Sequence, residues 1–262
     1  MKKDELIKAA ESLRQARINR LPIAPLRLLW PAMTIDEAYQ VQMAMFSQDI
    51  AEGAQRKGAK IGLTSPAVQK QMGVDQPDFG YLLDSMQYQN NAIINVRDLI
   101  QPKAEAEIAF ILKKDISDPD IAWDKLPAMM ECAVGAIEIV DSRIADWNIS
   151  ITDTVADNAS SGRFVLGEQP KKLSELDLVN CAMTMTLDGR PQSTGRGSHC
   201  LGHPLIAVQW LAKTLALQGM PLQAGDIILS GALGPMVNIT PGDSLVANID
   251  GLAPVSIRLN QA

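Results

Sequence analysis

The segment Lys103–Leu112, KAEAEIAFIL, constrains the fold more than any other part of the chain. Lys103, Glu105 and Glu107 alternate with Ala104, Ala106 and Ile108, and a period of two is strand periodicity. One face of the strand is therefore apolar and the other carries three charges. Two carboxylates on one face repel each other unless a cation sits between them. A solvated face with Lys103 as partner meets that condition, and so does a bound metal ion. Any fold that accepts this segment contains a sheet with a core on one side and this charge cluster on the other.

Further strands follow the same grammar. AIINV, AVGAIEIVDS, RFVLG, AMTMTLDG, DIILSG and LVANIDGLAPVSIRL all read as strands, and Asp188-Gly189 and Asp250-Gly251 are hairpin signals. AKIGLT is a short strand ending in a turn. Ser65 to Met72 reads as one helical turn or two, and GVDQPDFGYLL, dense in Gly, Asp and Pro, as a loop rather than a core element. The N-terminal part is helical. Leu6, Ala9, Ala10 and Leu13 share one helix face. After Pro22, Pro25 and Pro31, Thr34 and Glu37 form a capping box that starts a helix running to about Gly53. A helix opening at His203-Pro204 and closing at Gly219 interrupts the β-rich part, with Leu205, Val208, Leu211, Ala212 and Leu215 as its apolar face. The sum is an α+β chain.

Several function classes are excluded. The net charge of −6 comes without a basic stripe, so nucleic acid has no footprint, and acidic membranes would repel the surface. The segment MKKDELIKAAESLRQAR carries Asp4, Glu5 and Glu11 and lacks the apolar core of a signal peptide. No apolar run approaches the ~18 residues that span a bilayer. Cys132, Cys181 and Cys200 are odd in number, have no paired spacing and read as packing residues. The expectation is a cytoplasmic protein. An anionic substrate would need local cations or a metal.

Histidine is scarce. His203 reads as a helix cap, and no Ser/His/Asp grouping, Cys-x-x-Cys, GxGxxG or P-loop occurs. The carboxylates carry more information. Glu138 lies among apolar residues in AVGAIEIVDS, where a lone ionised carboxylate is costly unless paired or metal-bound. Three carboxylates suit a hard ion such as Mg²⁺ or Mn²⁺, with water and substrate oxygens completing the shell. Lys60, in a short apolar strand, is either a snorkelling surface residue or a site cation. Asp75 and Asp78 lie on a Gly/Pro-punctuated loop where turn formation is the default role. DTVADNASSGRF gathers Asp153, Asp157, Asn158, Ser160, Ser161 and Arg163 into a polar loop of small residues that lets backbone N–H groups approach an anion.

Taken in order, KIGLTS, GVDQPDFGYL, IQPKAEAEIAF, AIEIVDSRIADW, DTVADNASSGRF, LGHPLIAVQWLA and AGDIILSGAL resemble the 2-keto-4-pentenoate (2-hydroxypenta-2,4-dienoate) hydratases of the fumarylacetoacetate hydrolase superfamily, from about residue 5 to 260. The resemblance implies a mixed β-roll or barrel-like fold preceded by helices. It divides the chain into a helical section, 1–58, and a β-rich catalytic part, 59–262, forming one integrated unit. It implies a divalent metal, Mg²⁺ or Mn²⁺, on Glu105, Glu107 and Glu138. Lys60 and Asp78 become the candidate acid/base pair, and Ser160 a catalytic group that holds substrate or water. Ser161, Leu82 and Asp157 join as substrate contacts. The implied reaction hydrates a short 2-hydroxydienoate to a 4-hydroxy-2-oxoalkanoate in the meta-cleavage breakdown of aromatic compounds. The 4-oxalocrotonate decarboxylases share the metal site, Lys60 and the ADNASS segment, and Asp78 favours the hydratase over them. Hydratases of longer dienoates, such as a hexadienoate or a 2-oxoheptenedioate, are a third possibility. TGRGSHCLG, with Arg196, Ser198 and His199, departs from the family pattern and bears on the substrate tail. A homo-oligomer is also implied, as is association with a pathway decarboxylase.

Overall fold

A computed structural model describes residues 1–65, 69–70, 74 and 76–261 of the chain. The helical start is a pair, α1 (Lys3–Asn19) and α2 (Ile35–Ala51). The Thr34 cap is formed: Thr34 Oγ1 accepts from Glu37 N–H at 3.2 Å and Glu37 Oε2 accepts from Thr34 N–H at 2.9 Å. Such a cap contributes about 1 kcal/mol to helix stability. Ala9, Ala10 and Leu13 of α1 and Ala38, Val41 and Met45 of α2 make one apolar cluster with Val155 and Ala156. The helix pair therefore rests against the middle of the chain. The boundary expected after residue 58 falls inside the first strand, which begins at Arg56.

Two sheets form the rest. The larger runs β2 (Asp78–Leu83), β1 (Arg56–Gly62), β10 (Ile227–Leu229), β5 (Lys103–Leu112), β6 (Met130–Val140), β7 (Ser161–Leu166) and β3 (Gln87–Gln89), with β11 (Val237–Asn238) also paired to β5. The smaller runs β4 (Ala92–Ile94), β13 (Val255–Leu259), β12 (Ser244–Ile249), β8 (Ala182–Leu187) and β9 (Arg190–Arg196). Both hairpin signals hold: Asp188 and Gly189, at φ 50° and 76°, turn β8 into β9, and Gly251, at φ 82°, lies between β12 and β13. The apolar face of β5 and β6 looks toward the smaller sheet, and at Gly135 the larger sheet backs onto Val255 and Ile249. The opposite face carries the glutamates.

Two segments differ from the sequence reading. The stretch Asp78–Leu83 is not a loop but a fully buried strand, antiparallel to β1. Gly, Asp and Pro before it hid a run with no polar alternation, and its stability is tertiary: Tyr39 stacks on Phe79 at 4.7 Å and Phe46 on Tyr81 at 4.2 Å. DTVADNASSGRF is not an open polar loop. It begins with α3 (Ile151–Ala156), capped by Ser150, and buries Asp153, Thr154, Val155 and Ala156. Arg27 engages Asp153 through its guanidinium and its backbone N–H, fixing the chain between α1 and α2 to the start of α3. The helix at His203-Pro204, α4 (Pro204–Leu217), forms as expected, with His203 Nδ1 accepting from Leu205 N–H at 3.0 Å. Asp75 and most of the expected turn from Ser65 to Met72 lie outside the described residues. No helix among the described residues is long and apolar enough to cross a membrane.

Candidate metal centre and active site

The register of β5 against β6 sets Glu105 directly opposite Glu138, with Glu107 one step along, opposite Ala136. All three project from the same face, and each offers an oxygen within 4.8 Å of the others. Glu107 and Glu138 are buried and Glu105 is half-buried, so the cluster deepens along β5 from Glu105 to Glu107. One Glu107 oxygen, Oε2, accepts from Gly231 N–H at 2.8 Å. Its partner Oε1 and Glu138 Oε2 are buried without a hydrogen-bond donor, and Glu138 Oε1 meets one ammonium alone. The neighbouring cation is Lys60, whose Nζ lies 3.3 Å from Glu138 Oε1.

This arrangement has an electrostatic consequence. Burial, then the charges of Glu138 and Glu105, push the Glu107 carboxyl well above the usual range. Burial and Glu138 push Glu105 up to about 7. Burial also raises Glu138, although Lys60 opposes it. Burial pulls Lys60 down, but Glu138, Asp78, Glu105 and Glu107 together outweigh it, so the ammonium is favoured. One ammonium cannot balance three carboxylates. Orphaned buried oxygens, three converging carboxylates and a like-charge clash fit a hard divalent cation, and a set of oxygen donors fits Mg²⁺ or Mn²⁺ rather than a soft metal.

Beside the carboxylates stand Lys60 and Asp78. In the β1–β2 register Lys60 faces Gly80 and Gly62 faces Asp78, so the Lys60 and Asp78 side chains share a face. A Cβ built on Gly62 would lie 2.2 Å from Asp78 Oδ1 and 3.5 Å from Lys60 Nζ. Glycine at 62 is what lets the two groups stand side by side. Gly62→Ala should therefore displace Asp78 and lower kcat/KM by roughly a hundredfold, the usual cost of an ångström-scale misplacement. An alanine variant with wild-type kinetics would contradict this. Thr154 Oγ1 donates to Asp78 Oδ2 at 3.3 Å, while Oδ1 is buried without a partner. Burial raises the Asp78 carboxyl against the pull of Lys60 and Thr154, which favours the protonated acid.

The Ser160–Ser161 pair follows a strained turn. Asn158, Ala159 and Ser160 all lie in the left-handed region, at φ 52°, 48° and 55°. Each such non-glycine residue costs about 1–2 kcal/mol, so the turn persists only where its surroundings enforce it. Asn158 bridges to β2, accepting from Tyr81 N–H at 2.8 Å and donating to Tyr81 O at 3.0 Å. Ser161 Oγ donates to Asn158 O at 2.8 Å, whereas Ser160 Oγ is buried without a partner.

Two expected substrate contacts are held within the fold. Both Asp157 carboxylate oxygens are engaged by Arg143 and Ser142: Oδ2 accepts from Ser142 Oγ at 3.0 Å and from Arg143 N–H at 2.9 Å, and Oδ1 from Arg143 Nε. Asp157 thus braces the turn from behind. Leu82 is packed in the core four residues, roughly 13 Å of strand, from Asp78. Sequence reasoning missed Gly62, Thr154, Gly231 and Arg143. Arg143 alone left a signal, as an arginine directly after the apolar run that holds Glu138. Near the Glu107 end, the segment TGRGSHCLG is tied down by Leu201 N–H donating to Thr64 O at 3.0 Å and by His199 Nδ1, 3.2 Å from Leu233 O.

Comparisons with known proteins agree with this architecture. Residues 59–260 match the model of the fumarylacetoacetate (FAA) hydrolase C-terminal family. The 2-keto-4-pentenoate hydratase of Paraburkholderia xenovorans (strain LB400) is 49% identical over 247 residues, covering 94% of this chain and 92% of that protein. The 2-hydroxyhexa-2,4-dienoate hydratase of Comamonas testosteroni is 46% identical, over 96% of this chain and 94% of that one. Among solved structures, the 4-oxalocrotonate decarboxylase from Pseudomonas putida G7, complexed with magnesium and adipate, superposes with a TM-score of 0.96 at 33% identity, covering 99% and 98% of the two chains. The chain belongs to the fumarylacetoacetate hydrolase superfamily and, within it, to the 2-keto-4-pentenoate hydratase family.

Proposed function

We propose that this protein hydrates 2-hydroxypenta-2,4-dienoate, or a closely related short 2-hydroxydienoate, to the corresponding 4-hydroxy-2-oxoalkanoate, with Mg²⁺ or Mn²⁺ bound by Glu105, Glu107 and Glu138. The observation that carries the reading is a buried Asp78 carboxyl, with one free oxygen, sharing a face with Lys60 beside the three-glutamate cluster. When bound there, a divalent ion supplies Lewis acidity that stabilises negative charge on the substrate's oxygens. The rest falls to the chain. Asp78 hands a proton to C5 as the 2-hydroxyl gives one up, which leaves the conjugated 2-oxo-3-enoate; water then adds its hydroxyl at C4 and its proton ends on C3. Lys60 keeps its ammonium and offsets part of the carboxylate charge around the reacting group. The unpartnered Ser160 hydroxyl orients the water that adds at C4.

The test is direct. Purified protein supplied with Mg²⁺ or Mn²⁺ should consume the dienoate, read as loss of its absorbance, and Asp78→Asn should lose roughly a hundredfold or more in kcat. No consumption by the metal-loaded protein would refute the reading. The superposition on a 4-oxalocrotonate decarboxylase supports a second one, since a stabilised enolate serves loss of CO₂ as well as addition of water. Release of CO₂ from 2-oxo-3-hexenedioate without hydration of the dienoate would establish it instead.

A further inference from the structure

The acid-binding reading leaves a charge problem. Lys60 is already paired with Glu138, and four carboxyl groups, Asp78, Glu105, Glu107 and Glu138, surround the place where an anionic acid must arrive. The whole chain carries −6. Even with a divalent ion, this ensemble has no surplus positive charge to draw in a carboxylate.

Lys103 supplies one. It lies two residues before Glu105 on β5, so it projects from the same face, about 7 Å of strand away. Its register partner is Val140, which in turn faces Ser161, so this row of the sheet adjoins the Glu105–Glu138 row. Burial falls along β5 from Glu107 through Glu105, which puts Lys103 at the open end of the cluster. The ammonium is held over an aromatic shelf, with Nζ 4.5 Å from the Trp147 ring centroid.

The shelf is itself fixed. Asp146 and Trp147 both lie in the left-handed region, at φ 59° and 54°. The Trp147 indole N–H donates to Gln101 O at 3.0 Å, and Gln101 Nε2 donates to Ser142 O at 2.9 Å. The lysine and its platform are therefore joined through the segment that leads into β5. Two strained residues spent on a half-exposed ring suit a functional surface better than simple packing.

We propose that Lys103, held on Trp147, is the cation at the mouth of the site that captures incoming acids and pairs with a second carboxylate, so that the site accepts short dicarboxylic acids alongside the monocarboxylic dienoate. The proposal rests on the reading of the glutamate cluster as the centre of an acid-binding site. Lys103 stands about 7 Å of strand from Glu105 on the same face, the scale that separates the two carboxylates of a short diacid.

The test uses the Mg²⁺-loaded protein and two probes of equal carbon number, adipate and hexanoate, with binding measured by calorimetry. The wild-type protein should bind adipate about five- to tenfold more tightly than hexanoate, the range expected of one exposed ion pair. Added salt should erode that preference. Lys103→Gln should bring adipate down to the hexanoate affinity and remove the salt dependence. Trp147→Phe, which keeps a ring under the ammonium, should preserve most of the preference, and Trp147→Ala should not. An adipate preference unchanged in Lys103→Gln, or absent from the wild type while both acids bind, would overturn the role of Lys103. If the wild type binds neither acid and leaves the dienoate untouched, the acid-binding reading itself fails.

Discussion

Glu107→Gln should separate stability from activity in opposite directions. Its expected activity loss is about a thousandfold in kcat/KM, because removing one of three anionic donors from a divalent site forfeits several kcal/mol of charge stabilisation. Without added metal, the same variant should be more stable than wild type at pH 8, by on the order of 1–2 kcal/mol. Burial and the charges of Glu138 and Glu105 raise the Glu107 carboxyl well above its ordinary value of 4.5. A group raised in the folded state contributes its stability below its unfolded pKa and loses it as pH rises through the folded one. At pH 8 the glutamate therefore costs stability that glutamine does not, and a glutamine side chain can still accept from Gly231 N–H. Below pH 4.5 the two proteins should converge. Denaturant melts at both pH values and steady-state kinetics check the pair of effects. A variant that is inactive and also less stable at pH 8 would mean that Glu107 is a packing residue.

A second design feature is the strained turn. Three consecutive left-handed residues cost several kcal/mol in sum, and the compensation is visible. Arg143, buried, donates from Nη1 to Asp141 O at 2.8 Å and to Ser161 O at 2.7 Å, and from Nη2 to Asp157 O. Asp141 in turn accepts from the N–H groups of Ile100 and Gln101 at 3.0 Å and 2.7 Å. The strand carrying Glu138, the turn carrying Ser160 and the segment leading to Lys103 are thus tied through one guanidinium. Asp157 belongs to this brace, and both of its carboxylate oxygens are taken up there by Ser142 and Arg143.

How much of this a sequence can reveal depends on the range of the interaction responsible. Alternation at Lys103–Ile108 is local, and so are the Thr34 cap, the Asp188-Gly189 turn and the Pro204 helix start; each was legible. The trio of glutamates was half legible. Spacing put Glu105 beside Glu107, and the apolar setting of Glu138 marked it as unusual, but the β5–β6 register that joins them spans more than thirty residues. Only the resemblance to a whole ordered set of motifs supplied that link. The strand β2 was hidden because every one of its residues is buried, which erases the alternation that marks a half-exposed strand. Its aromatic partners, Tyr39 and Phe46, come from a helix some forty residues earlier. The setting of Asp157 was hidden for the same reason: polar composition marks a segment as special without naming the arginine that occupies it.

Metal should stabilise the protein strongly at pH 8 and scarcely at pH 5. Without metal, burial raises all three glutamates, and the charge of Glu138 adds to it at Glu107 and at Glu105, which reaches about 7. By the same sign argument, the metal-free fold loses stability as pH climbs from about 4.5 through 7, where the carboxyls ionise against one another. That is the form a divalent cation binds, so protons and metal compete, and the benefit of metal grows across the same interval. At a hundredfold excess over Kd the increment is about 2.7 kcal/mol. For a chain of this size that corresponds to a rise in Tm of roughly 5–10 °C. Thermal melts with Mg²⁺, with Mn²⁺ and with chelator, at pH 5 and pH 8, read it directly. Replacing Glu138 by Gln should abolish the increment at both, and since it also strips buried Lys60 of its partner, this variant should melt below wild type even with chelator present. An increment equal at pH 5 and pH 8 would show that the metal binds elsewhere, because Glu105, Glu107 and Glu138 are the one such cluster found among the described residues.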